Sequence, residues 1–346
     1  MKKKKVAKKK PTKQKLILKS TTTLNEIKSK IKTKTQYASQ VIPNQNGYTL
    51  YEKKGDLIAL KKIVGKNCYV GREGLELFPH GVFMFKEVKP PENFPTEPGC
   101  IWVQNVDNPR AKYKITQETL QLETEFLFPL IKGPNIKCFE YEQDGILALF
   151  PYDNNDHTRP IDRIELGNRA PKTLEWFLKH EETLDAQSSY SDRIRGHAGG
   201  GGDVGEFYGV ARVGLYTFAP FHVAYRDNTK LNACVISSLS TPFGDKLAIL
   251  QNHAPSICED EDEDDNFIDE SEAHYICAII NSSSGTTFIK NSSDSQTFPI
   301  RLPIKIPKYD PNNQTHTKLE QLSRNIHEDR TTLNQNLKKI DKILSK

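Results

Sequence analysis

The sequence predicts an α+β protein: a β-rich body with a few packed helices, a disordered basic arm before it and a long C-terminal helix after it. Short apolar or alternating runs separated by Gly and Pro occupy residues 48–149. Helical spacing of apolar residues recurs at 170–189, 270–280 and 317–346, and charge is segregated along the chain. The 346 residues are 36% apolar. That length has room for about two domains of ordinary size. A mean hydropathy of −0.62, with no apolar run near the ~20 residues a spanning helix needs, excludes an integral helical membrane protein.

The net charge of +5 is a small remainder of opposed blocks. Residues 1–34 hold fourteen Lys and one Glu, whereas residues 259–272 hold ten acids and no base. The arm, taken as residues 1–35, has no aromatic and few apolar residues, so it buries too little surface to offset its ordering entropy. Such an arm suits a polyanion, each Lys on a phosphate releasing counterions, or serves as a solubilising tail. Its lysines are followed only by Leu16-Ile17-Leu18, too short for a secretory core, so a cytoplasmic location is expected. The acidic run reads as a solvated loop without calcium-hand spacing.

The body, residues 36–312, opens with strand-like runs at Leu57–Leu60, Gly81–Phe85, Cys100–Val103 and Ile146–Leu149, interrupted by a proline connector at 90–95. Ala170–Ser189 reads as one amphipathic helix, with Pro171 near its start, where the missing donor costs little. Strands are expected again from Phe207, through Tyr216–Tyr225 and Ala233–Ser238, and a helix at Glu270–Ile280. In the last segment, 313–346, Leu319, Leu322, Ile326, Leu333, Leu337, Ile340 and Leu344 alternate three and four apart, apart from the polar Asp329. That is the seam of a coiled coil docking a partner, or of an amphipathic helix packed on its own domain.

Chemistry-bearing motifs are mostly missing. There is no GxxxxGK[ST], HExxH or GxSxG, and no GxGxxG between a strand and a helix. Gly199–Gly202 reads as a flexible loop, and Asp153, Asp156 and His157 as an Asx-rich turn and not a metal site. His222 reads as a surface position on a half-buried strand. Six cysteines without a CxxC pair read as free thiols, mostly buried. No cofactor, metal or catalytic residue is assigned to this chain.

Four stretches together resemble one family. They are Leu122–Gly133 (LETEFLFPLIKG), Tyr208–Pro220 (YGVARVGLYTFAP), Glu272–Ser283 (EAHYICAIINSS) and Ile306–Asn313 (IPKYDPNN). In this order they resemble the C-terminal target-recognition region of restriction-modification DNA adenine-N6 methyltransferases, of the fused type II and type I-like kinds. Val70–Gly74 (VGREG) with His80–Phe83 is similar to the segment that opens that region. The resemblance covers roughly residues 50–320. It implies a DNA target-recognition domain whose partners are double-stranded DNA and a separate methyltransferase or nuclease subunit that holds the S-adenosylmethionine. The chain departs from the complete enzymes: it lacks the glycine-rich methyl-donor loop, and its only Pro-Pro, 90–91, is not the [DNS]PP[YFW] that holds a flipped adenine. Arginine on guanine is the commonest specific contact to duplex DNA, and cations on phosphates set position. The loop cations Arg72, Lys132, Arg159, Arg193, Arg195, Arg212 and Lys290 are therefore candidate contacts, with Tyr69 and Tyr216 as candidate stacking groups. The alternative is a non-catalytic protein-interaction module derived from such a domain; a stand-alone nuclease would need a carboxylate-Lys metal site that the sequence does not assemble.

Overall fold

The computed structural model describes residues 23–30, 36–39, 49–51, 62–106, 111–153, 159–186, 205–228, 231–260, 266–292 and 299–345. Most of the basic arm, Leu57–Leu60, Gly199–Gly202 and residues 261–265 of the acidic run lie outside the described residues. Inside the arm, Leu24–Lys30 forms a helix, α1. Thr23 and Glu26 cap its first turn reciprocally, Thr23 N to Glu26 Oε2 at 2.8 Å and Glu26 N to Thr23 Oγ1 at 3.4 Å.

The strands run β1 (Tyr37–Ser39), β2 (Thr49–Tyr51), β3 (Tyr69–Arg72), β4 (Met84–Glu87), β5 (Cys100–Asn105), β6 (Thr119–Glu123), β7 (Leu127–Ile131), β8 (Ile136–Lys137), β9 (Glu140–Tyr141), β10 (Ile146–Leu149), β11 (His222–Tyr225), β12 (Ala233–Ile236), β13 (Leu239–Thr241), β14 (Gly244–Lys246), β15 (Ile249–Leu250) and β16 (Ser256–Asp260). After α1 the helices are α2 (His80–Phe83), α3 (Arg163–Arg169), α4 (Pro171–Lys179), α5 (Glu181–Asp185), α6 (Glu270–Asn281), α7 (Ser283–Ser292), α8 (Gln314–Glu328) and α9 (Leu333–Leu344). The fold is α+β, as expected. Among the described residues no helix is long and apolar enough to cross a membrane.

One half is a six-stranded sheet in the order β15-β7-β10-β4-β5-β6, antiparallel except for the β15/β7 pair. Its covered face is aromatic. Phe85 meets Trp176 of α4 edge-on at 5.6 Å, and Phe177 stacks on Tyr208 at 4.9 Å. Helix α4 has no side-chain cap of its own; Glu123, at the end of edge strand β6, accepts from Lys172 N (2.8 Å), Thr173 N (2.9 Å) and Thr173 Oγ1 (2.8 Å) instead. The single helix expected over 170–189 is divided. His180 leaves helical geometry at φ −110° and ψ 11°, ending α4 and starting α5.

The other half is a four-stranded antiparallel sheet, β12-β11-β16-β3. Helix α6 lies against it, begun by a capping box in which Asp269 Oδ1 accepts from Glu272 N at 2.8 Å. Its core is mainly aliphatic, with Ile257, Ile276, Ile279, Ile280, Ile304 and Ile306 buried together alongside Phe139, Tyr225, Tyr275 and Phe288. His222 is not a surface residue but 3% exposed. All four positions of β11 are buried because both faces are covered, one by the α6 side of the core and the other by Tyr216, Ala248 and Leu250. Its Nδ1 lies 3.1 Å from Ser256 Oγ, and burial pushes the imidazole down to about 4.

The C-terminal segment also departs from expectation. It is two helices, not one, because Asp329 is extended (φ −136°, ψ 102°) and its carboxylate caps a short 3-10 turn, accepting from Thr331 N at 2.9 Å and Thr331 Oγ1 at 2.8 Å. Leu319, Leu322, Ile326 and Ile340 are buried in the aliphatic core, with Leu333, Leu337 and Leu344 packed against it. The three-and-four seam thus faces the chain's own core. Histidines line the α6–α8 contact: the His274 and His327 rings lie edge-on at 4.7 Å, His274 Nδ1 is 3.2 Å from Ser323 Oγ, and His327 Nε2 accepts from Val235 N at 3.1 Å. A small cluster containing Ile131, Ile136, Ala224, Ile236, Leu239 and Leu250 joins the two halves.

Candidate functional site

The stretch Val70-Gly71-Arg72-Glu73-Gly74 begins as β3, pairs with β16 and then turns toward the six-stranded half, where Leu75 N donates to Leu250 O at 2.7 Å. Both glycines are steric requirements. A Cβ on Gly71 would collide with the Ile300 carbonyl oxygen, and one on Gly74 with the Gln251 carbonyl oxygen. Arg72 and Glu73 are therefore displayed from backbone pressed against its neighbours on either side.

The acids at the start of the acidic run are strand residues rather than loop. Glu259 and Asp260 belong to β16 and are buried. Register places β16 beside β3, with an irregularity between Ile257 and Glu259, and Glu259 Oε2 takes the Nε–H of Arg72 at 2.6 Å. Asp260 accepts from Lys308. Low-dielectric surroundings make each of these carboxylates depend on its cation.

The stretch Tyr208–Pro220 crosses above this strand pair. It is not the expected strand: Gly209, Gly214 and Pro220 interrupt any ladder, Arg212 adopts φ +68°, and Leu215–Phe218 closes as a 3-10 turn. Two buried tyrosines fix it, Tyr208 Oη donating to Ile161 O at 2.7 Å and Tyr152 Oη accepting from Val210 N at 2.7 Å. Tyr216 Oη donates to Arg212 O at 2.5 Å, and its ring lies under the Arg72 guanidinium, 5.1 Å from the centroid. Burial pushes the Tyr216 phenol up to about 12, so it stays a neutral donor. Arg212 turns back onto the same tract, Nη1 to Glu73 and Nη2 to Glu76 Oε1 at 2.8 Å.

Of the candidate contacts, the structure thus brings together Arg72, Arg212 and Tyr216. Lys132 lies apart at the end of β7, with its Nζ 2.5 Å from Asp144 Oδ2. Arg159 is exposed. Lys290 lies on α7. Arg193 and Arg195 lie outside the described residues. Tyr69 is buried, donating to Glu272 Oε1 at 3.1 Å and accepting from Tyr309 N at 2.9 Å, so it is a core hinge and not a stacking surface.

Sequence reasoning missed the carboxylates that organise these cations. Glu73, two residues before Leu75 in a Gly-bounded turn, was legible as an exposed acid beside Arg72; Glu259, 187 residues away, was not. Also missed was Arg169, whose guanidinium gathers Glu125 (2.5 Å), Asp153 (2.9 Å) and Glu165 (2.6 Å). Arg169, Glu125 and Asp153 border an open hollow of about 570 Å³ that is also lined by Phe126, Phe128, Tyr152 and Phe218. Among the described residues no group of three or more His, Cys, Asp or Glu side chains is placed to hold a metal ion. The described cysteines are free, with Cys234, Cys258 and Cys277 buried.

The geometry can therefore present a guanidinium edge on an aromatic support; acid-base or nucleophilic chemistry has no assembled constellation among the described residues. No protein-family model matches the chain, and no curated protein matches it significantly.

Proposed function

We propose that the chain is the sequence-specific DNA-recognition component of a split restriction-modification or phage-defence system, acting in the cytoplasm with a separate subunit that carries S-adenosylmethionine and the methyl-transfer or nuclease chemistry. One observation carries the reading. The stretches on which the resemblance rests are far apart in the chain, yet Val70–Gly74 and Tyr208–Pro220 meet over β16 and present Arg72 on Tyr216, while Leu122–Gly133 contributes β7 and the end of β6 to the six-stranded sheet and Glu272–Ser283 contributes most of α6 to the other half. A rigid scaffold under a displayed arginine is what base-edge readout requires.

The test is selection of the full-length chain on a randomised duplex library, with and without any methylase encoded beside it, repeated at rising salt. Enrichment of one short motif is the expected outcome. Binding that falls steeply with salt and enriches no motif in either condition would leave only phosphate contacts and defeat the reading.

A second reading, a protein-interaction module derived from a recognition domain, is favoured by the charge pairing. Arg212 and Lys132 hold carboxylates and so have less to offer phosphates. In either case a partner subunit has to use a surface other than the Leu319–Leu344 seam, which the chain itself covers.

A further inference from the structure

Arg72 and Arg212 both meet Tyr216, Arg72 through its guanidinium over the ring and Arg212 through its backbone carbonyl, but they use their guanidinium groups differently. Arg212 gives both terminal nitrogens to carboxylates, Nη1 to Glu73 and Nη2 to Glu76. Arg72 gives Glu259 its Nε–H and holds its guanidinium carbon over the Tyr216 ring, 5.1 Å from the centroid, and no described residue accepts from its Nη1 or Nη2. The side chain is 38% exposed while that of Glu259 is 6% exposed, so the inner edge of the guanidinium is anchored in the protein and the outer edge is presented to solvent. Two parallel N–H donors held in one plane match O6 and N7 of guanine in the major groove, a bidentate acceptor pair that adenine, cytosine and thymine do not offer. A guanidinium fixed by a face contact and an Nε bond loses little rotamer freedom when that pair forms.

We propose that Arg72 reads a guanine in the major groove through its outer Nη1/Nη2 edge, and that Tyr216 and Glu259 are positioning residues that hold this edge outward. The proposal rests on the DNA-recognition reading and adds to it one residue, one base and one geometry. Glu259 has a second consequence: its charge offsets that of Arg72, so the arginine is a weak phosphate ligand and contributes to discrimination more than to general affinity. Arg212 acts as a brace for the Gly71–Leu75 tract.

The experiment uses the full-length chain, with its methylase partner where binding needs it, and the duplex motif obtained by library selection. Competition binding compares that duplex with versions in which each G·C pair is replaced by A·T and each guanine in turn by 7-deazaguanine, which lacks N7. For the wild-type chain one G·C position costs about 10- to 100-fold when replaced, and the same position responds to 7-deazaguanine. Arg72→Lys keeps a positive charge beside Glu259 but has no fork, so it flattens that position alone and leaves the others unchanged. Tyr216→Phe keeps the ring and the discrimination; Tyr216→Ala lowers it at the same position, and Glu259→Gln raises affinity for non-motif DNA. Circular dichroism and thermal melting confirm that each variant is folded, and Arg72→Gln is the substitute if Arg72→Lys is not. A motif read identically by the wild-type and Arg72→Lys chains would overturn the proposal and leave the DNA reading intact, as would a motif without guanine. No motif at all would remove both.

Discussion

The two halves of the molecule bury similar secondary structure with different chemistry. The six-stranded half closes over Phe83, Phe85, Phe126, Phe150, Trp176, Phe177 and Tyr208, and its helix α4 is held by a carboxylate from the sheet edge. The four-stranded half closes over isoleucines and leucines contributed by sheet, α6 and α8, and places histidines where those layers meet. Aromatic faces tolerate any pH between the carboxylate and lysine ranges. Buried imidazoles do not, since each has to be neutral to stay inside. The half carrying Arg72 and Glu259, with the two histidines lowered furthest, is therefore expected to be the more acid-sensitive one.

Acidification is the strongest way to break this comparison. His222 and His274 are pushed by burial to about 4 and about 3, below the ordinary value of about 6.5. The unfolded chain therefore takes up protons first. Stability is fully present above about pH 6.5 and is lost as pH falls from there toward 4, by roughly 3 kcal/mol for each of the two histidines. Hydrogen exchange followed from pH 7 to pH 4.5 should show α6 and α8 opening before α4. His80 and His180, in the other half, are lowered by burial in the same direction; earlier opening of α4 would show that they, rather than the α6–α8 pair, set the acid limit.

Cutting Phe177 to Ala, where the side chain is fully buried between Phe83 and Tyr208, should cost about 3–5 kcal/mol. The loss is read from the urea midpoint. Because the small cluster around Ile131 and Leu250 ties the halves together, one shifted transition is expected; two transitions would show that the halves unfold independently. Glu123→Ala leaves Lys172 N and Thr173 N without their acceptor and should lower stability by about 1–3 kcal/mol. The smallest effect is Asp269→Ala at the start of α6, about 1 kcal/mol for a lost cap. If the Asp269 change exceeded the Glu123 change in thermal melts, the ranking of the two helix anchors would be reversed.

Local signals were read well where the physics is local. Helix α6 was expected over 270–280 and spans Glu270–Asn281, because a capping box and an apolar face both lie within twelve residues. The free cysteines and the strands at Cys100 and Ile146 follow from runs of similar length. Errors arose where a distant partner decides. Glu259 and Asp260 read as the start of a solvated acidic loop, since Arg72 and Lys308, which make strand burial tolerable, lie 187 and 48 residues away. His222 read as exposed because nothing in its own alternation reveals that a second layer covers the sheet. The terminal seam announced a helical partner correctly in kind, but the partner is the chain's own α6 side, and the polar Asp329 already marked the break. Of the candidate site, Arg72, Arg212 and Tyr216 were legible as residues. Their meeting was not.

The pairing of β3 with β16 also orders events during synthesis. Residues 69–72 leave the ribosome long before 256–260, so the sheet edge of β3 waits unpaired while nearly 190 further residues are made. The strands of the six-stranded half other than β15 all lie between residues 84 and 149 and pair with one another without that delay. Domains that fold as the nascent chain lengthens complete their nearest contacts first. The Arg72–Glu259–Tyr216 assembly therefore forms only after the strands between residues 84 and 149 have paired, and a chain released between residues 250 and 256 would carry all six strands of that sheet without the assembly.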